Sequence, residues 1–264
     1  MIVAILTGHP DNPYAADVLQ AINAHGIRGI HVVAAAWNAG PRSFAGVIRA
    51  HGARLPWVGA RWLAKCLIRP FGRIVRRRDA TGLAAEVERH GGHFVRVRDA
   101  NGEECRNALT ALDVDILVLA GAPIVRPNIL AVPRVGTLNA HQGALPGYRG
   151  MNVIEWAILE GDTPAVTVHF VDSGVDTGDI IASEEIGIVA GDSLQSIRAR
   201  AADKQAELLA RAVFAARSRP LPRRAQRQTE GRQYYSMHPR LRAVAERRLA
   251  ESCAAPRGSL RPRP

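Results

Sequence analysis

Cysteine is scarce, with three in 264 residues, at Cys66, Cys105 and Cys253. So few, so far apart and odd in number, they supply neither a disulfide framework nor a zinc site, and a reducing cytoplasm is the expected compartment. Long apolar runs are missing as well. None reaches the length that crosses a bilayer, and the opening MIVAIL lacks the basic segment and apolar length of a secretory leader. The first β-prone run empties into Gly8-His9-Pro10-Asp11-Asn12-Pro13 rather than G-x-G-x-x-G. That absence removes the usual dinucleotide turn and, with it, a nucleotide-binding oxidoreductase. Lysine is nearly absent, only Lys65 and Lys204, and acids are absent from Ala39 to Arg78, where ten basic residues gather. From Arg217 onward thirteen Arg face three acids. The net charge of +11 therefore sits in these two stretches and the remainder is acidic. A nucleic-acid partner, which asks for a basic face on the folded core, is disfavoured.

What is present is an apolar fraction of 47% in a chain long enough to bury a substantial core. Ile2–Leu6, Gly29–Ala36, His93–Val97 and Asp115–Leu119 read as strands. Helix-like stretches at Ala15–Asn23 and Leu83–Arg89 alternate with them, the second stopped by Gly91-Gly92. Downstream follow a short helix at Asn128–Ala131, a strand at Thr137–His141, a helix at Ile154–Leu159, and strands at Val166–Val171 and Ile180–Ile188. A long helix capped by Asp192 with Gln195 runs to about Ala216. This order predicts an α/β fold, a doubly wound, mostly parallel Rossmann-like sheet, with an Arg-rich helical insertion and a basic C-terminal extension. A catalytic domain is expected over residues 1–217, with the insertion at 39–78. The extension covers 218–264: GRQYYSMHPR docks back through Tyr234 and Tyr235, and residues 254–264 are expected to be disordered. The insertion, with Trp57 and Trp62 among its arginines, admits three readings: a helical excursion on the core, a lid or acceptor-site wall, and an interfacial contact with a membrane surface.

Chemistry concentrates between Asn139 and Asp179. Asn139 and His141 stand two residues apart at a strand end and so share a face. The strand Val166–Val171 empties into a turn that holds Asp172, Gly174 and Asp176. Acyl transfer to an amine develops an oxyanion, which an amide and an imidazole stabilise, and needs a base for the amine, which a carboxylate supplies. No nucleophilic side chain is required.

Asn139-x-His141, Leu145-Pro146-x-Tyr148-x-Gly150, Trp156, Gly161, Thr167-x-His169 and Gly174-Val175-Asp176-Thr177-Gly178-Asp179-Ile180-Ile181 together resemble the signature of the folate-dependent formyltransferases. That family includes enzymes acting on glycinamide ribonucleotide, methionyl-tRNA and amino sugars. The resemblance is dense over residues 114–190 and looser over 1–37. It implies transfer of a formyl group from 10-formyltetrahydrofolate to a primary amine, with Asn139, His141 and Asp176 catalytic and no metal. It further implies cofactor contact at Leu119, Ala120, Gly121, Ile124 and Val125, and at Asp172 and Val175 of the turn. Gly8, His9 and Asn12 correspond to an acceptor-side loop, and Thr167 and His169 to residues that position the trio. Where the family carries Pro-Ser after the His, this chain has Gln142-Gly143, which alters the loop that follows. A small-molecule amine, an amino sugar on a nucleotide, is the expected acceptor. Glycinamide ribonucleotide is the alternative, followed by methionyl-tRNA, whose enzymes add a β-barrel domain that the residues after Arg217 do not supply, and by a non-catalytic folate-binding relative. Oligomeric state is left open.

Overall fold

The computed structural model describes residues 1–35, 82–227 and 229–254. The expected insertion at 39–78 and the last ten residues of the expected disordered end lie outside them. Strand β1 (Val3–Thr7) is buried along its whole length and leads through a turn into α1 (Pro13–Ala24), which turns Val18, Leu19 and Ile22 to the core. Then come β2 (His31–Ala35), α2 (Gly82–Arg89), β3 (Phe94–Val97) and α3 (Glu103–Ala111), followed by β4 (Ile116–Leu119) and α4 (Pro127–Leu130). The strand β5 (Gly136–His141) is followed by β6 (Tyr148–Gly150), α5 (Val153–Glu160), β7 (Ala165–Phe170), β8 (Ile180–Glu185) and α6 (Leu194–Ala215). The chain ends in β9 (Arg232–Tyr234) and α7 (Pro239–Ala254).

Seven strands form one sheet in the order β3-β2-β1-β4-β5-β7-β8. The first five are mutually parallel, and β7 runs antiparallel to both β5 and β8. The expected doubly wound, mostly parallel sheet is present, with β7 as its reversed strand. Uninterrupted apolar runs such as ILVL in β4 are buried on both faces, as parallel strands between helical layers must be. On one face Leu19, Ile22, Val87, Leu209 and Val213 from α1, α2 and α6 pack against Val32, Val118, Leu138 and Val168. On the other, Cys105 and Leu109 of α3 and Ile129 of α4 pack against Leu6, Val33 and Leu117. This second helical layer lies over the first part of the sheet. Beyond it the same face of β5 and β7 carries polar residues in alternation: Thr137, Asn139 and His141 on β5, Thr167 and His169 on β7. Alternation explains this, because Leu138, Ala140, Val166, Val168 and Phe170 fill the opposite face.

Several boundaries differ from those expected. β8 stops at Glu185 rather than Ile188, since Pro164, opposite Ile186, accepts from the Ile186 N–H but has no N–H to return. Ser193, not Asp192, caps α6, in a reciprocal box with Ser196. Asp192 instead accepts a two-pronged pair from Arg200 at 2.7 and 2.6 Å. The basic extension ends in the helix α7, which lies against α5. Helix α3 and strand β6 were not anticipated. Among the described residues no helix is long and apolar enough to cross a membrane.

Candidate active site

The strand order reverses at β1 and β4, so a crevice opens beyond their carboxyl ends. Here the turn after β1 meets the loop after β4. The Gly8 N–H donates to the Gly121 carbonyl at 3.2 Å. Asn12 joins the two segments with its whole side chain: Oδ1 accepts from the Tyr14 N–H at 3.1 Å as the cap of α1, while Nδ2 donates to Thr7 Oγ1 at 2.9 Å and to the Ala120 carbonyl at 3.0 Å. Gly121 has a φ of 66°, and a Cβ there would lie 2.4 Å from Asn12 Nδ2, so only glycine fits. At the far end of the same loop Asn101 donates to the Ile124 carbonyl at 2.9 Å and accepts from the Arg126 N–H at 2.7 Å. The loop after β4 is therefore fastened at both ends.

One step along the sheet, Asn139 pairs in register with His169 and His141 with Thr167, which puts two histidines and an amide on one face. The turn after β7 brings Asp176 over them. Its Oδ2 is 3.4 Å from His141 Nδ1, and its Oδ1 is 3.6 Å from His169 Nε2. The Gly150 N–H donates to Oδ2 at 2.9 Å. Amide, imidazole and carboxylate, drawn from separate segments, thus converge on one spot.

Hydrogen-bond partners fix the proton positions. His141 Nε2 lies 2.8 Å from the Tyr148 carbonyl, which can only accept, so Nε2 carries a proton and Nδ1 is left facing Asp176. His169 Nδ1 donates likewise to the Phe170 carbonyl at 2.7 Å. Its Nε2 sits 3.3 Å from Asn139 Nδ2: a neutral ring accepts from that amide, and a protonated one donates to Asp176. Burial lowers the pKa of His141, and the Asp176 charge and the Tyr148 carbonyl oppose this only in part. Burial also pushes Asp176 up, but the His169 ring, the nearby His141 and the Gly150 amide outweigh it and hold the carboxyl below its usual range. Near neutral pH the resting pair is a neutral ring beside a charged carboxylate.

Thr167 fastens the loop that follows His141. Its hydroxyl donates to the Gly143 carbonyl at 2.7 Å and accepts from the Leu145 N–H at 3.2 Å. Gln142 points away from the site, to Gln205 of α6 at 2.8 Å, and Gln205 in turn donates to the Ala140 carbonyl. A Cβ on Gly143 would lie 2.6 Å from the Tyr148 oxygen and 2.7 Å from His141 Nε2. The Gln-Gly pair is thus accommodated without disturbing Asn139 or His141.

On the same face of β5 as Asn139, a cavity of about 360 Å³ is lined by Thr137, Val171, Asp172, Gly178, Arg223 and Gln226 among others. The Thr137 hydroxyl is buried and has no hydrogen-bond partner among the described residues. Arg223 lies over the Phe170 ring, 3.6 Å from its centroid. Of the residues expected to meet a cofactor, Asp172 lines this cavity. Leu119, Ala120 and Val125 are buried in the strand end and loop, whereas Ile124 and Val175 are 82% and 39% exposed. Of the acceptor-side residues, Gly8 is buried, His9 is exposed and accepts from the Asp11 N–H at 3.1 Å, and Asn12 is consumed as described. Sequence reasoning missed Thr137, Asn101, Arg149, Arg223 and Gln226. Only Thr137 left a signal, a polar residue two before Asn139 in an apolar strand.

The chain beyond α6 also reaches the site. Arg224 forms a reciprocal backbone bridge with Ile180, and β9 pairs with β6. Tyr234 stacks on Tyr148 and tilts against Trp156, both at 5.2 Å between centroids. Tyr235, expected to dock, is 70% exposed; its carbonyl makes the contact, accepting from Trp156 Nε1 at 3.0 Å.

Residues 73–213, more than half of the chain, match the family model described as formyl transferase. A methionyl-tRNA formyltransferase of Koribacter versatilis is 37% identical over 111 residues, 41% of this chain and 36% of that protein. The chain spans about a third of the length of the curated relatives it matches. A sugar N-formyltransferase from a Shewanella species has a TM-score of 0.58 at 13% identity, covering 94% of this chain and 88% of that one. Glycinamide ribonucleotide transformylase 1 from Symbiobacterium toebii has a TM-score of 0.55 at 20% identity, covering 86% and 93%. At these identities the two structures share the fold.

Proposed function

Because the chain belongs to the formyl transferase family, we propose that it moves a formyl group from 10-formyltetrahydrofolate to the primary amine of a small acceptor, an amino sugar carried on a nucleotide. The observation that carries this reading is the meeting of Asn139, His141 and Asp176 near a cavity lined by Thr137 and Asp172. Main-chain groups of the fastened loop after β4 and of the turn 172–178 offer hydrogen bonds to the polar edge of a flat heterocycle.

The donor supplies a formyl carbonyl bonded to nitrogen; as the amine nitrogen bonds to its carbon, the original C–N bond breaks and the donor nitrogen leaves with a proton. Asn139, held by His169 through one N–H, directs its other N–H at the oxygen on which charge develops. Asp176 takes the amine proton, directly or through a water, and delivers one to the departing nitrogen. His141 was expected to polarise the oxygen or to donate a proton to it. With Nε2 spent on Tyr148 and Nδ1 facing Asp176, it instead shares the proton with the carboxylate, and the two titrate as a pair.

A second reading has its own support, since the curated relatives are methionyl-tRNA formyltransferases. Mass spectrometry of nucleotide-linked amino sugars, glycinamide ribonucleotide and methionyl-tRNA, each incubated with 10-formyltetrahydrofolate, separates the acceptors by which gains one formyl unit. Formylation of the tRNA alone would displace the sugar reading, and no transfer to any amine would end both. In the productive assay Asn139→Ala is expected to raise the barrier by about 2–4 kcal/mol, as loss of an oxyanion donor does elsewhere, and Asp176→Asn by about 3–5 kcal/mol, the hundredfold to ten-thousandfold that a general base supplies.

A further inference from the structure

Asp176 has a φ of 54°, a left-handed conformation uncommon outside glycine, though one that Asp adopts more readily than most residues. The turn's own bonds account for part of this. Asp172 Oδ1 accepts from the Gly174 N–H at 3.0 Å and from Thr177 Oγ1 at 2.6 Å, which closes the turn ahead of and behind Asp176 but leaves Asp176 itself untouched. The group that holds its main chain comes from some fifty residues further on. Gln226 Nε2 donates to the carbonyl of Asp176 at 3.1 Å and to that of Gly178 at 2.6 Å. Its Oε1 accepts from Arg149 Nε at 3.4 Å and Nη2 at 3.3 Å.

Arg149 is 6% exposed, and its Nη2 also donates to the Arg227 carbonyl at 3.1 Å. It immediately precedes Gly150, whose N–H holds the Asp176 carboxylate. One side-chain amide therefore grips the backbone of the proposed base and, through Arg149, the strand that presents the carboxylate's only backbone donor among the described residues. The segment bearing Gln226 is itself anchored on both sides: Arg224 bridges Ile180 before it, and the Arg232 N–H donates to the Gly147 carbonyl at 3.1 Å after it.

We propose that Gln226, backed by Arg149, is a positioning residue for the transfer reaction: it fixes the left-handed turn so that the Asp176 carboxylate stays between Gly150, His141 and His169. This deepens the proposed function and rests on it. Gln226→Leu removes all of these hydrogen bonds. Gln226→Glu keeps an acceptor for Arg149 and loses the two donors. The groups that face the Asp176 carboxylate are His141, His169 and the Gly150 amide, with Arg149 one bond removed through Gln226.

The test measures kcat of both variants with the acceptor identified above, in the wild-type and the Asp176→Asn backgrounds, alongside NMR titration of the histidines in ligand-free protein. Both variants are expected to lose kcat by roughly tenfold to a hundredfold, as a misplaced group of this kind does, with little change in KM for the donor. In the Asp176→Asn background the same changes are expected to cost less than about twofold, because the group they position is already gone. The His141 titration midpoint is expected to fall in Gln226→Leu, since the neighbouring carboxylate recedes. Unchanged kcat, or an equal loss in both backgrounds, would overturn the proposal. If no acceptor is found, the histidine titration still decides whether Gln226 sets the carboxylate: an unmoved His141 refutes the positioning, and a moved one with no transfer refutes the reaction instead.

Discussion

A missing β-carbon protects the proton relay at residue 143. Any side chain there would intrude on the 2.8 Å bond between His141 Nε2 and the Tyr148 carbonyl, with backbone on one side and the ring on the other. Gly143→Ala is expected to abolish the NMR signal of the Nε2 proton and to lower kcat by about tenfold or more, the cost of some 1.4 kcal/mol in the barrier. Retention of that signal would show that the loop yields without cost. At this scale the sequence is legible wherever a partner is local. Asn139 with His141 and Thr167 with His169 announce themselves by alternation in otherwise apolar strands. Asn12 does not, because the Ala120 carbonyl that claims it lies 108 residues away and no spacing encodes it. A residue that resembled an acceptor contact is a pin between two strand exits. Arg149 and Gln226 are invisible for the same reason, 77 residues apart and meeting only after folding.

Among the elements, α1 depends most on one side chain. Asn12→Ala removes its cap, worth about 1 kcal/mol, and both amide donations to the β1 and β4 exits, so a total loss of about 2 kcal/mol is expected in urea unfolding. Asn12→Asp keeps the capping oxygen and should recover roughly the capping share. The long strands and helices were readable because burial on one or both faces writes a period of two, a period of 3.6 or an unbroken apolar run. Helix α3 was missed although Glu103 and Glu104 mark its first turn, since it buries only Cys105 and Leu109. Strand β6 has three residues, too few to show any period, and is defined only by its pairing with β9. The α6 boundary slipped by one residue because Asp192 and Ser193 are both good caps, and Arg200 drew Asp192 into an ion pair.

For the molecule as a whole, several groups with lowered pKa values shape its response to acid, His141 and Asp176 among them. The folded pKa of His141 lies below the ordinary 6.5, so as pH falls beneath that value the unfolded chain binds a proton that the folded one refuses, and stability declines. Asp176 is also depressed, from 3.8; its stabilising contribution is present above that value and is lost as pH falls further through the folded pKa. Thermal unfolding from pH 8 down to 3 is therefore expected to show a decline beginning near 6.5 that is smaller in His141→Asn, and a further decline below 3.8 that is smaller in Asp176→Asn. A single decline unaffected by either variant would assign acid sensitivity elsewhere. The sheet order follows from the run of strands and helices, but the reversal of β7 does not, because alternation says nothing of direction.

Synthesis proceeds from the amino end, so the turn bearing Asp176 leaves the ribosome before Gln226 has been made. For that interval a nascent chain has its loops in hand but lacks the clasp that joins them. Its pocket is completed only upon arrival of a late-made residue.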